Sequence, residues 1–178
     1  MSTPTAPPQA MLIVGMLTAD RSLAKPAAEA LEVRFGPLAM QSQWMPFDFT
    51  DYYDDEMGTG LWRRLLVFDT LVDQDHLARI KLTTNRIETR FMKADRRRVN
   101  LDPGILTAER FVLATGKNYS HRIYLGSGIF ADLTLVFSRG AYQAQPWTYP
   151  DYAAPEMQDY LLGVRRCYLA ELRSRKST

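Results

Sequence analysis

The chain has 178 residues, with 22 basic and 20 acidic side chains, and its net charge of +2 is too weak a field to capture nucleic acid or an anionic membrane without a local patch. A single cysteine, Cys167, excludes an internal disulfide and any zinc site built from several thiolates. The 46% hydrophobic and 24% charged content is that of a globular domain, long enough to bury a core without metal or disulfide staples.

Residues 1–9, rich in Pro, Thr and Ala, read as a disordered tail without the basic start of a signal peptide. No window holds the roughly 20 apolar residues that span a bilayer, so the expectation is a cytoplasmic protein with no membrane partner. Met11 to Leu17 is a short continuous apolar run, the pattern of a strand buried on both faces. Leu23, Ala27, Ala30, Leu31 and Phe35 then recur at helical spacing, with Pro26 early and Gly36-Pro37 as a stop. Leu38 to Phe49 is extended but interrupted by Pro46, and it enters an acidic, aromatic loop that reaches Gly58.

Leu61 to Leu71 predicts another strand, after which Asp73 can cap a helix carrying Leu77, Ile80, Thr84, Ile87 and Phe91. Arg97 to Leu101 reads as a short strand ending in an Asp102-Pro103-Gly104 turn. The order βαββαβ is the ferredoxin-like split pattern. Arg110 to Thr115, His121 to Leu125 and Ile129 to Ser138 follow as an antiparallel β meander. A terminal amphipathic helix marked by Met157, Tyr160, Leu161, Val164, Tyr168 and Leu172 is expected to return to the sheet. The predicted architecture is a single α+β domain over 10–174, a ferredoxin-like core extended by the meander and the helix, with 175–178 a second disordered tail. Cys167, between core positions on that helix, is expected to be buried and inert.

Several blocks carry a resemblance. Phe49-Thr-Asp-Tyr-Tyr-Asp-Asp-Glu-Met-Gly58, Lys81 with Thr84-Asn85 and Glu88, Asn100-Leu-Asp-Pro-Gly104, Ala114-Thr115 with Lys117, His121-Arg-Ile123 and Trp147-Thr-Tyr-Pro-Asp-Tyr152 stand in that order. In this the chain resembles, over almost its whole length, a bacterial and archaeal family, domain of unknown function 4416. The resemblance implies no activity, cofactor or catalytic residue, so function has to come from the residues.

Asp48, Asp51, Asp54, Asp55 and Glu56 supply oxygen ligands suited to a magnesium-type cation, or else form a solvated acidic loop. Glu56 is the preferred catalytic member. Lys81, Asn85 and Glu88 fall at i, i+4 and i+7, a polar line that either enters a cleft or holds a Lys81–Glu88 surface pair. Asn100 and Asp102 share one strand face, and Asp102 serves either a site or the turn. Lys117, His121 and Arg122 put three potential cations around a loop that can hold phosphate or carboxylate, with His121 available as general acid or base. Neighbouring His121 and Arg122 can share one pocket only at a strand end or bulge. His76 is read as a surface residue, and Arg96-Arg-Arg98 as a solvated basic cluster without the aromatic interleaving of a stacking platform.

No nucleophile elbow, Walker loop, dinucleotide glycine fingerprint or paired-histidine metal motif occurs. The leading expectation is a polar pocket for a phosphorylated or carboxylated small molecule, serving a hydrolase or transferase assisted by Mg²⁺. Against it stands a non-catalytic nucleotide or metabolite module signalling as a homo-oligomer, and third an RNA-binding protein.

Overall fold

The computed structural model describes residues 1–176. Nine strands form one antiparallel sheet: β1 (Ala10–Thr18), β2 (Leu38–Gln41), β3 (Met45–Phe47), β4 (Leu61–Val72), β5 (Asn100–Leu106), β6 (Arg110–Thr115), β7 (Arg122–Gly126), β8 (Ile129–Ser138) and β9 (Ala141–Ala144). Five helices accompany it: α1 (Ala24–Phe35), α2 (Asp54–Met57), α3 (Leu77–Glu88), α4 (Pro150–Ala153) and α5 (Pro155–Lys176). The strand order is β2-β4-β1-β5-β6-β8-β7, with β3 also on β4 and β9 also on β8.

All nine residues of β1 are buried, because the sheet is covered on both faces. Leu12, Val14 and Met16 meet Ala27 and Leu31 of α1 and Ile80 and Ile87 of α3. Met11 and Ile13, pointing the opposite way, meet Tyr152 of α4 and Met157, Leu161, Val164 and Tyr168 of α5. The strand alternation thus sorts one apolar run into two cores. The terminal helix does return to the sheet, on the face opposite α1 and α3.

Three local expectations are corrected. Arg110–Thr115, Arg122–Gly126 and Ile129–Ser138 are strands, but β8 pairs with both β6 and β7, so the sheet order is not that of a meander. The segment after β6 instead crosses the end of β8 before β7 begins. Asp102-Pro103-Gly104 is no turn; all three lie within β5, paired with Gly15, Val14 and Ile13 of β1. Gly104 is needed for closeness rather than for a positive φ: a Cβ there would stand 2.8 Å from two ring carbons of Phe111 and from the Val112 carbonyl oxygen. Third, α5 includes Arg175 and Lys176, placed beforehand in the tail; Arg175 donates to Glu171 one turn back at 2.7 Å. The remaining two positions of that tail, 177–178, lie outside the described residues.

At the other end, Met1–Gln9 carries no regular structure, and Gln9 is tied down by Tyr168, whose hydroxyl donates to its carbonyl at 2.7 Å. Cys167 is exposed, not buried, since it lies on the outer side of α5 while its neighbour Tyr168 faces the core. Asp73 accepts from the Gln9 amide at 3.0 Å rather than capping the helix with its side chain. None of the described helices is long and apolar enough to cross a membrane.

Candidate functional site

Strands β5 and β6 pair over three positions only, Gly104 with Leu113, Ile105 with Val112 and Leu106 with Phe111. Beyond Gly104 comes Pro103, which brings no N–H to either neighbour, and the strands diverge. Asn100 and Asp102 on one side and Ala114 to Lys117 on the other edge a notch in the sheet, and a cavity of about 580 Å³ opens there. At such a notch, residues from both faces can line one space: Lys81 and Asn85 come from α3, while Arg63, Asp151 and Tyr152 come from the opposite side.

Asp102 is the centre of this polar bed. It accepts from Lys81 Nζ at 3.3 Å and from Asn100 Nδ2 at 2.6 Å, and Arg63 Nη2 stands 3.9 Å away. Burial by itself would push the Asp102 carboxyl up, but Lys81, Arg63 and the Asn100 amide outweigh it and hold it below the ordinary carboxylate value. It therefore sits ionised in the wall of the cavity. Lys81 also donates to the Leu101 carbonyl at 2.9 Å. Its buried ammonium is thereby fixed by one strand, which explains why a lysine is kept on the inner face of α3.

Arg63 is fully enclosed between Phe47 and Tyr152, its guanidinium carbon 4.8 Å and 5.3 Å from their ring centres. Its Nη1 lies 2.9 Å from Asp151 Oδ2 without hydrogen-bond alignment, so the two are a charge pair rather than a well-made bond. Burial raises the Asp151 carboxyl above its usual range, and the Arg63 charge only partly opposes this. On the other lip, Arg122 Nε donates to Asp132 at 2.8 Å, and its Nη2 reaches the Tyr149 hydroxyl at 3.0 Å. Lys117 spans the mouth: its ammonium bonds the Tyr52 hydroxyl at 2.6 Å and lies 3.8 Å from the centre of that ring.

Of the ligand-binding residues expected from the sequence, Lys81, Asn85, Asn100, Asp102, Lys117 and Arg122 all line this one cavity. Glu88 does not. It is buried behind the wall, where Oε1 accepts from the Leu101 N–H at 2.7 Å and Oε2 lies 3.5 Å from Arg97 Nη1. Nor does it form a surface pair with Lys81, because both are buried.

Neither residue expected to be catalytic borders the cavity. Glu56 is held by Arg97, Nε to Oε1 at 2.7 Å and Nη2 to Oε2 at 2.6 Å, and that hydrogen bonding keeps its carboxyl below the ordinary value. His121 stacks on Trp147 with ring centres 4.7 Å apart and 9° between planes, and its Nε2 lies 3.3 Å from Asp132. Both His121 and Arg122 reach Asp132, which their position at the start of β7 permits. Asp48, Asp51, Asp54 and Asp55 are exposed and outside the cavity. Among the described residues no three carboxylates or imidazoles of the cavity converge as metal ligands; the one such group is Asp73, Asp75 and His76 at the surface.

The family model for Domain of unknown function (DUF4416) matches residues 8–168. The chain belongs to that family. No curated protein and no solved structure matches it. The cavity of this DUF4416 member therefore has to be interpreted from its own chemistry.

Sequence reasoning missed five of its contributors. Arg63 falls on the same alternation set as Leu61, Leu65 and Val67, and an arginine in register with those apolar residues was the available signal. Arg97 was read as part of a solvated cluster, yet it bonds Glu56 and also donates to Asn100 at 2.7 Å. Asp132 is a buried carboxylate in a strand read for its apolar residues, and Asp151, also buried, stands in the Trp147 to Tyr152 block that carries the resemblance but was given no role there. Tyr53, half-buried beside Phe47 with ring centres 5.9 Å apart, falls in the segment read as an acidic, aromatic loop, with no site role expected of it.

Proposed function

We propose that this DUF4416 chain binds a phosphorylated or carboxylated small molecule in the notch between β5 and β6. The observation that carries the reading is the state of Lys117. Of the five cations bordering the cavity, Arg63, Lys81, Arg97 and Arg122 each face a carboxylate within hydrogen-bonding or ion-pair distance, whereas Lys117 rests on a tyrosine at the mouth. An ammonium held against an aromatic hydroxyl is ready to take an anion, and the neighbouring Arg122, held by Asp132, the Lys117 carbonyl and the Tyr149 hydroxyl, lines the same space. A volume of about 580 Å³ is in the range of small-molecule sites.

The arrangement supports a binding or regulatory module over a hydrolase run by Glu56 and His121, since both of those side chains are engaged away from the cavity. A magnesium-assisted step gains no support from the cavity's carboxylates, each of which faces a cation. We further infer a cytoplasmic protein whose β2-β4-β1-β5 core is the ferredoxin-like arrangement. The test is calorimetric titration of the full chain with inorganic phosphate, ribose 5-phosphate and citrate. Saturable binding to at least one is expected, weakened about tenfold in Lys117→Ala, because one charge-assisted bond contributes about 1.5–3 kcal/mol. Absence of binding to all three, or binding indifferent to Lys117, removes the reading.

A further inference from the structure

Resting on that anion-binding reading, we propose that the occupant is a nucleoside phosphate, its phosphate on Lys117, its hydroxyl or N–H donors on Asp102, and its base against the aromatic wall. Three features of the same cavity converge on this. First, its charge is divided by position. The mouth carries a cation with no carboxylate within ion-pair distance among the described residues, Lys117, while the inner wall carries an ionised carboxylate, Asp102, whose side chain keeps 24% of its surface open. A purely anionic ligand suits the mouth and is repelled by the wall. A molecule with an anion at one end and donors at the other satisfies both, and ribose hydroxyls or ring N–H groups are such donors.

Second, one side is aromatic. Phe47, Phe49, Tyr52 and Tyr53 come from seven consecutive positions and brace one another edge to face, with Phe47–Phe49 centres at 5.9 Å and Tyr52–Tyr53 at 5.0 Å. Phe49 and Tyr52 remain 44% and 58% exposed, although both border a cavity able to bury them against a ligand. The Lys117 ammonium covers one face of Tyr52, but Phe49 and Tyr52 keep exposed ring surface at the cavity, and a flat heterocycle is the group that stacks on such surface. A sugar phosphate would leave this wall unused. Third, an aromatic amino acid shares the anion, the donor and the ring, but it is small for a space of about 580 Å³, which suits a three-part molecule of base, sugar and phosphate.

The experiment measures dissociation constants of the full chain for AMP, GMP, UMP, CMP, ribose 5-phosphate and L-tyrosine under one buffer condition. At least one nucleotide is expected to bind about tenfold or more tightly than ribose 5-phosphate, the scale of one base stacked on one ring. Tyr52→Phe keeps that preference, because the ring remains. Phe49→Ala, at an exposed position, reduces it toward unity with ribose 5-phosphate affinity unchanged within about twofold. If ribose 5-phosphate binds as tightly as every nucleotide, the nucleoside assignment fails while the anion site stands. Tighter binding of L-tyrosine than of every nucleotide also overturns it, in favour of an aromatic amino acid. If nothing in the series binds, inorganic phosphate and citrate included, the site and its occupant fall together.

Discussion

Arg97 grips Glu56 through two parallel hydrogen bonds, 2.7 Å and 2.6 Å long, and so ties α2 to the stretch preceding β5. The pair is partly open to solvent, with side-chain exposures of 25% and 39%, which limits its contribution. Glu56→Gln is expected to cost no more than about 1 kcal/mol in urea denaturation. Phosphate affinity should stay within about twofold of the parent. Loss of binding in that variant would return Glu56 to the site.

Lys81 carries a heavier burden, because it is buried and serves Leu101 and Asp102 together. Lys81→Met leaves a carbonyl without its donor and a largely buried carboxylate facing only Arg63 and Asn100. Removing one partner of such a pair costs about 3 kcal/mol or more. Adding Asp102→Asn should recover part of the loss by removing the stranded charge. If the double variant is less stable than the sum of the two single changes, the Lys81–Asp102 coupling described here is misassigned.

Gly15 and Tyr152 form a second tight relationship across the core. A Cβ at Gly15 would stand 2.9 Å from the Tyr152 hydroxyl, the nearest obstacle by more than half an ångström. Gly15→Ala is therefore predicted to destabilise by about 1–3 kcal/mol, and Tyr152→Phe to rescue most of it. Tyr152→Phe alone should cost little, since its buried hydroxyl has no well-aligned partner. At Gly104 the outcome differs. The Val112 carbonyl is as close to the added Cβ as the Phe111 ring, so Phe111→Leu should not rescue Gly104→Ala. Unfolding of the four single variants and the two double variants checks both statements.

The pH dependence has two limbs. Asp102 is held below 3.8, its ordinary value, so the unfolded chain binds more protons just beneath that pH, and its contribution is lost as pH falls through the folded value. Glu88 runs the other way. Burial raises it above 4.5, so the folded chain holds the extra proton, and this contribution shrinks as pH rises from about 4.5 through the folded value. Glu88→Gln keeps an acceptor for the Leu101 N–H and cannot ionise. Its stability relative to the parent should therefore improve as pH rises above about 4.5, followed by urea midpoints at several pH values. A parallel pair of curves would show that burial does not raise the Glu88 carboxyl.

The sequence by itself determined the main strands and helices and much of the polar set. The apolar run of β1, the helical spacing of α1 and α3 and the terminal amphipathic helix were legible, because each follows from a periodicity of 2 or 3.6 within one segment. Six of the nine expected site residues line the cavity for a related reason: Lys81 and Asn85 are one helical turn apart, and Asn100 and Asp102 share one strand face. Pairing partners carry no such local mark. That Arg97 binds Glu56, that His121 stacks on Trp147, and that β8 slips between β6 and β7 are decided by segments far apart in the chain. The cavity itself belongs to tertiary structure too: Pro103 and Gly104 look like a turn until β1 pairs along them, and only then does the divergence of β5 from β6 open a space reached from both faces of the sheet.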